Sequence, residues 1–241
     1  MADLQKTAIV TGASQGIGAA LVEAFLKRGY KVVANSRNMS KANPFPASPS
    51  LALVDGDIGD PKTAATIVET AVTRFGRVDV LINNAGIFIS KPFTEYTTKD
   101  LNDLVSTTVA GFLYVSQLAV KQMLRQKSGS IVNVSTSLVE QPIAGEPVTV
   151  QVMAKGSLNA VTRALAMELA KEGIRVNTVA LGVIDTPLHE PGTLKFLEGL
   201  NPMGRIGEIK EVVDAILFLT DATFTTGEIL HVDGGVHAGK W

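Results

Sequence analysis

At 241 residues, with 22 basic against 23 acidic side chains and 46% hydrophobic residues, the chain has the make-up of one globular domain spanning 1–241. A net charge of −1 with no basic cluster leaves no footprint for nucleic acid or anionic lipid. Zero cysteines and three scattered histidines argue against disulfides, cysteine nucleophiles or a metal centre. The polar start Met1–Lys6, and the lack of any run near the roughly 18 apolar residues of a bilayer span, predict a cytoplasmic protein without a membrane partner.

The first element is a short apolar strand, Lys6–Thr11, followed by a glycine-rich turn, Gly12–Gly18. A helix, Ile17–Arg28, then places Ile17, Leu21 and Phe25 on one face before Gly29 ends it. The alternation continues with strands at Lys31–Asn35, Leu51–Val54, Val78–Ile82, Ile131–Val134, Arg175–Leu181 and Glu228–Val232. Helices are predicted at Lys62–Phe75, Lys99–Arg125, Val152–Lys171 and Ile209–Leu219. Seven strands alternating with helices predict a three-layer, doubly wound α/β fold with a parallel sheet, because right-handed crossovers put helices on both faces. Two segments depart from the rhythm. The three prolines of Asn43–Ser50 leave room for only a loop or one short turn, and the irregular stretch 182–207 reads as a lid over the substrate. Leu194, Phe196, Leu197 and Leu200 would give that lid an apolar underside.

Strand, glycine turn and helix together form a phosphate site, since the glycines admit a pyrophosphate to the backbone and the helix start offers unpaired N–H groups. Here the turn is Thr11-Gly-Ala-Ser-Gln-Gly-Ile-Gly18, a TGxxxGxG spacing. Asn83-Asn-Ala-Gly86 follows the fourth strand, Lys155 opens a helix and Val232-Asp-Gly-Gly235 closes the last strand. In this order the motifs resemble the short-chain dehydrogenase/reductase family across nearly the whole chain. The resemblance implies an NAD(P)-binding Rossmann fold and a homotetramer or homodimer. It carries cofactor contacts onto Gly12, Ser14, Gln15, Gly16, Ile17, Gly18, Asn84, Ala85, Gly86, Lys155, Gly182, Ile184 and Thr186. Asp57-Ile58 resembles the family's pair beside the adenine; the plain alternative is an aspartate capping its own loop. At the end of the second strand Ser36 stands where NAD-preferring members carry an acid and Arg37 resembles a clamp for the 2′-phosphate, so NADP(H) is expected over NAD(H). The plain alternative is that Arg37 is a solvated loop residue.

The chemical end departs from the family. Its members normally combine Asn, Ser, Tyr and Lys, with the Tyr and Lys in a YxxxK motif that sets both on one helix face. No YxxxK occurs anywhere in this chain, and the residue one turn before Lys155 is Gln151. By the same alignment Thr136 takes the serine's place, with Ser137 the alternative, and Thr108 takes the asparagine's. Leu181-Gly182 replaces a Pro-Gly. A glutamine amide donates a hydrogen bond but transfers no proton, so cofactor binding is expected to outlast ordinary catalysis. Glu140 and Glu146, between Thr136 and Gln151, and His189, in the lid, are substitute proton donors by proximity in the motif map alone; solvated surface groups are the plain alternative. Three readings follow: an NADP(H)-dependent oxidoreductase with a non-standard centre acting on a small carbonyl, alcohol or imine; a non-catalytic NADP(H)-binding or scaffold protein; and a non-redox lyase or isomerase. Apolar residues on more than one face of Lys99–Arg125, among them Leu101, Leu104, Val105, Val109, Phe112, Leu113 and Val115, agree with a homo-oligomer.

Overall fold

Strand parity decides which face each apolar residue covers. In β1 (Thr7–Thr11), Ala8 and Val10 point to one side of the sheet and Ile9 to the other; β2 (Lys31–Ser36) repeats this with Val32 and Ala34 against Val33. β3 (Leu51–Asp55), β4 (Val80–Asn83), β5 (Gly129–Thr136), β6 (Ile174–Leu181) and β7 (Ile229–Val232) complete one sheet. Its order is β3-β2-β1-β4-β5-β6-β7 with every pair parallel. The computed structural model describes residues 5–42, 44–187, 197–199 and 201–239.

Helices α1 (Gly16–Lys27) and, near the end of the chain, α7 (Ile209–Asp221) cover one face, burying Leu21, Phe25, Val212 and Ile216 against Val10, Val132 and Val179. The other face carries α3 (Pro61–Phe75), α5 (Gly111–Gln126) and α6 (Thr149–Leu169), with Ile67, Val115 and Met123 over Ile9, Leu81 and Ile131. The expected three-layer doubly wound architecture is the one observed. The proline-rich segment permits only a four-residue helix, α2 (Met39–Ala42).

The predicted continuous helix over 99–125 is interrupted. It consists of α4 (Thr98–Leu104), a π-helical turn over Val105–Ala110, and α5. The stretch Thr98–Gln126 is long and apolar enough to cross a bilayer by length and composition, although it contains no unbroken apolar run of that length. Its apolarity has a local cause: Leu104, Phe112, Val115, Ala119 and Met123 are buried within the domain, while Leu101 and Leu113 are exposed.

Side-chain amides and hydroxyls cross the sheet's interior in a chain of bonds. Asn83 donates to Ser116 Oγ (3.1 Å) and to Asn133 Oδ1 (2.9 Å), Asn133 donates to Thr162 Oγ1 (2.9 Å), and Thr162 meets Thr178 at 2.7 Å. These bonds fix the rotation of α6, and with it the direction of Gln151 and Lys155, against β4, β5 and β6.

Candidate active site

Between β1 and β4 the chain reverses its direction of travel across the sheet, and a crevice opens beyond the strands' carboxyl ends at such a point. A cavity of about 360 Å³ lies there. One end is lined by Gly12, Gln15, Gly16, Ile17 and Gly18, the middle by Asn84, Ala85 and Gly86, and the other end by Thr136, Ser137, Glu146, Gln151 and Lys155.

The glycine turn is held from below by the Asn84-Ala85 backbone. The Thr11 hydroxyl accepts from Asn84 N and Ala85 N (both 3.1 Å) and donates to the Ile82 carbonyl (3.3 Å), while Asn84 Nδ2 donates to the carbonyls of Thr11 (2.9 Å) and Gly12 (3.1 Å). Contact is so close that a Cβ on Gly12 would sit 2.8 Å from Ala85 Cα, and one on Gly18 only 2.2 Å from the Gly12 carbonyl oxygen. On the open side, a Cβ on Gly16 would meet nothing nearer than 3.6 Å. Gln15 caps α1 without a side-chain hydrogen bond, so the first N–H groups of this 12-residue helix keep their capacity for an anion. The cradle therefore fits a dinucleotide pyrophosphate.

At the far end Lys155 is buried, 8% exposed, and its ammonium donates to the Val134 carbonyl at 2.7 Å. Burial pushes its pKa down to about 8. One turn earlier, Gln151 is 3% exposed and spent on backbone: Nε2 donates to the Ile87 carbonyl (3.1 Å) and Oε1 accepts from Ile89 N (3.4 Å). Thr136 and Ser137 both donate to the Leu181 carbonyl at 3.2 Å, and Thr136 also accepts from Leu138 N at 3.3 Å. Gly182, Ile184, Thr186 and Leu197 form the wall opposite. Ile184 pairs with Gly207, and Asp185 N donates to the Gly207 carbonyl at 2.8 Å, so the two ends of the stretch 182–207 are pinned together.

Several expected positions do not line this cavity. Thr108 is not on the large cavity: it sits in the π-helical turn, 2% exposed, beside a separate void of about 10 Å³, and its hydroxyl has no partner among the described residues. Ile58 is a core residue, so close to Gly111 that a Cβ there would lie 2.8 Å from its Cγ2. Asp57 accepts from Gly59 N at 2.8 Å. Ser14, Ser36 and Arg37 also lie off the cavity lining. Ser36 donates to Met39 Sδ at 3.5 Å, and the exposed Arg37 guanidinium makes no hydrogen bond or ion pair with a described residue. Glu140 is turned away, 3.1 Å from His231 Nε2. His189 lies outside the described residues, as do Leu194, Phe196 and Leu200. Phe88 and Ile143, which line the substrate end, were not anticipated; as isolated apolar loop residues they carry no periodic signal.

Lys155 ties the site to stability. Its folded-state pKa lies below the unfolded value, so across about pH 8 to 10.5 the unfolded chain holds a proton that the folded chain has released, and stability rises with pH there. The full span is about 3 kcal/mol, on the basis of ~1.4 kcal/mol per pKa unit. Lys155→Met is expected to flatten that rise and to stabilise the ligand-free protein at pH 7. Urea unfolding at pH 7 and pH 9.5 measures both effects; an unchanged slope with pH would remove Lys155 as its source.

A family profile described as Enoyl-(Acyl carrier protein) reductase matches residues 12–237. The chain is 32% identical over 240 residues to the 3-oxoacyl-[acyl-carrier-protein] reductase FabG of Salmonella typhimurium, covering 96% of this chain and 97% of the relative. It is 34% identical over 248 residues to the enzyme of the same name from Thermotoga maritima, with the same coverage. Among solved structures, ElxO with NADP bound superposes with a TM-score of 0.92 at 30% identity, covering 98% of this chain and 100% of that one. A variant of ElxO with one tyrosine replaced by phenylalanine, with NADPH bound, gives 0.91 at the same identity and coverage. The 3-ketoacyl-(acyl-carrier-protein) reductase of Brucella melitensis, complexed with NADH, gives 0.90 at 29% identity, covering 98% and 100%.

Proposed function

The chain belongs to the short-chain dehydrogenase/reductase family, and from that membership we propose that it is an NADP(H)-dependent oxidoreductase acting on a small apolar carbonyl, alcohol or imine. The observation that carries this reading is one continuous cavity with a glycine-and-helix phosphate cradle at one end and Lys155, Thr136 and Ser137 at the other. In this reading the backbone of Gly12, Ser14, Gln15, Gly16, Ile17 and Gly18 holds the pyrophosphate. Ser36 and Arg37 take the 2′-phosphate, Asp57 and Ile58 border the adenine, and Asn84, Ala85 and Gly86 line the path to the nicotinamide. Lys155 donates to the nicotinamide ribose, while Gly182, Ile184 and Thr186 flank the ring. The cofactor supplies the hydride. Thr136 or Ser137 orients the substrate oxygen by turning its hydroxyl from the Leu181 carbonyl. Gln151, already bonded to the Ile87 and Ile89 backbone, shapes the pocket floor, and Thr108 supports the helix behind Lys155. Phe88, Ile143, Val183 and Leu197 favour an apolar substrate.

A second reading, a protein that holds NADP(H) without turning it over, is favoured by the commitment of the Gln151 amide to backbone. A structural neighbour with one tyrosine removed still carries NADPH. One preparation tests both readings. NADPH fluorescence is expected to show binding at least about tenfold tighter than for NADH, the difference vanishing in Arg37→Ala, as charge-assisted bonds worth ~1.5 kcal/mol imply. Consumption of NADPH with a panel of aliphatic ketones and aldehydes supports the oxidoreductase; binding without consumption supports the holding protein; product without cofactor oxidation would overturn both in favour of a lyase or isomerase. Light scattering on the same sample is expected to give a dimer or tetramer, with exposed Leu101, Leu113 and Met153 as contact residues, and a monomer at micromolar concentration would refute that assembly.

A further inference from the structure

Reduction of a carbonyl needs a proton at oxygen as well as a hydride at carbon, and very few groups here can bring one. Among the described residues lining the cavity, only Glu146 and Lys155 are ionisable. Lys155 is anchored on the Val134 carbonyl, beneath Gly86. Gln151 has no proton to transfer. Glu146 differs from both. Its carboxylate forms no hydrogen bond or ion pair with a described residue, whereas Glu140, six residues earlier, is held by His231.

The backbone around Glu146 is fixed from one side and free on the other. The Pro147 carbonyl accepts from Lys91 N (2.9 Å), Tyr96 Oη (3.3 Å) and Ser90 Oγ (3.4 Å), which fastens the loop to the chain leaving β4. Gly145, at φ +90°, has open space about it. The loop thus presents one unpaired carboxyl over the substrate end, beside Ile143 and Phe88.

We propose that Glu146 is the catalytic acid, giving its carboxyl proton to the substrate oxygen, an inference that rests on the oxidoreductase reading above. As the hydride from a reduced nicotinamide forms the new C–H bond, the carbonyl π pair passes to oxygen. The O–H bond forms from the Glu146 proton, leaving a carboxylate that solvent reprotonates at the half-buried loop. In the oxidative direction the carboxylate removes the alcohol proton as the C–H hydride passes to an oxidised nicotinamide and the O–H electron pair forms the carbonyl π bond.

The titratable groups around this loop are Lys155 on α6, the Lys91–Asp100 pair beside Pro147, and Glu140 with its neighbour His231 at the loop's start. Reduction by the parent is expected to weaken as pH rises and oxidation to strengthen, as for any acid that must arrive protonated. A profile that instead breaks near pH 8 would point to Lys155, whose ammonium titrates there.

Glu146→Gln is expected to lower turnover by about 10² to 10⁴ and to erase the carboxyl limb of the pH profile, with NADPH affinity unchanged. Adding Gln151→Tyr to that variant restores turnover by supplying a phenol. A readout independent of turnover is calorimetry of isobutyramide, an unreactive carbonyl mimic, binding to the NADPH complex in buffers of different ionisation enthalpy. The parent takes up a proton and Glu146→Gln does not. A parent that consumes NADPH while Glu146→Gln matches it, or equal proton uptake by the two, overturns the assignment and leaves the oxidoreductase reading standing. A parent that binds NADPH and reduces nothing overturns both.

Discussion

Gly18→Ala is expected to abolish detectable NADPH binding and to lower the thermal midpoint by about 2–12 °C. The added methyl would lie 2.2 Å from the Gly12 carbonyl oxygen and 2.7 Å from Asn84 Nδ2, and neither can retreat. The oxygen belongs to the turn itself, and the amide is bonded to Thr11 and Gly12. Relief requires α1 to move off the turn, carrying its N–H groups away from the phosphate. Overpacking of this kind costs about 1–3 kcal/mol, and a domain of this size loses ~2–4 °C per kcal/mol. Gly16→Ala is the contrast. Nothing lies within 3.6 Å of its methyl, so its cost is the left-handed backbone at φ +56°, about 1–2 kcal/mol. Fluorescence titration and calorimetry distinguish the two variants. NADPH affinity in Gly18→Ala within twofold of the parent would remove this turn from the cofactor site.

Gln151→Tyr is the second large effect, and in the gaining direction. A tyrosine here stands one helical turn before Lys155, whose ammonium lowers the phenol's pKa. A positioned acid is worth about 10² to 10⁴ in rate. The lower end applies to the parent background, because Glu146 already offers a proton, and the full range applies to the Glu146→Gln background. The cost is structural: the Ile87 carbonyl and the Ile89 amide lose their partners, about 1–3 kcal/mol if they stay dry. Steady-state kinetics with any ketone the parent accepts gives the answer. No gain, with NADPH binding intact, would mean that position 151 does not face the reacting oxygen.

Much of the scaffold can be read from the residues because it depends on periodicity. Alternation in Ala8-Ile-Val10 and Val32-Val-Ala34 already separates the two faces of the sheet, and the glycines of the first turn are required by contacts with Asn84 and Ala85 that the motif order implies. The legibility ends where loops begin. Glu140 and Glu146 look alike in sequence, and only the bonds of His231 to one and of the Pro147 carbonyl's donors near the other separate them. Ile58 reads as a loop residue after a strand, yet the missing side chain of Gly111, 53 positions later, makes room for it in the core. Thr108 fits a catalytic position by alignment, but the helix around it is wound differently from the one its periodicity predicts.

That winding has a consequence for how the domain tolerates length changes. A π-turn is equivalent to one residue inserted into an α-helix, and each residue advances the helix by about 100°. The segment 105–110 therefore acts as a phase shifter between two screws. Downstream of it Val115, Ala119 and Met123 stay meshed with the sheet; upstream, α4 is turned so that Leu104 reaches Val150 and Ala154 on α6, the residues immediately before Gln151 and Lys155. Removing a single residue from this segment would leave either half a good helix in isolation. It would also rotate one half by more than a quarter-turn against the other and uncouple the helix that backs the cavity from the sheet that anchors it.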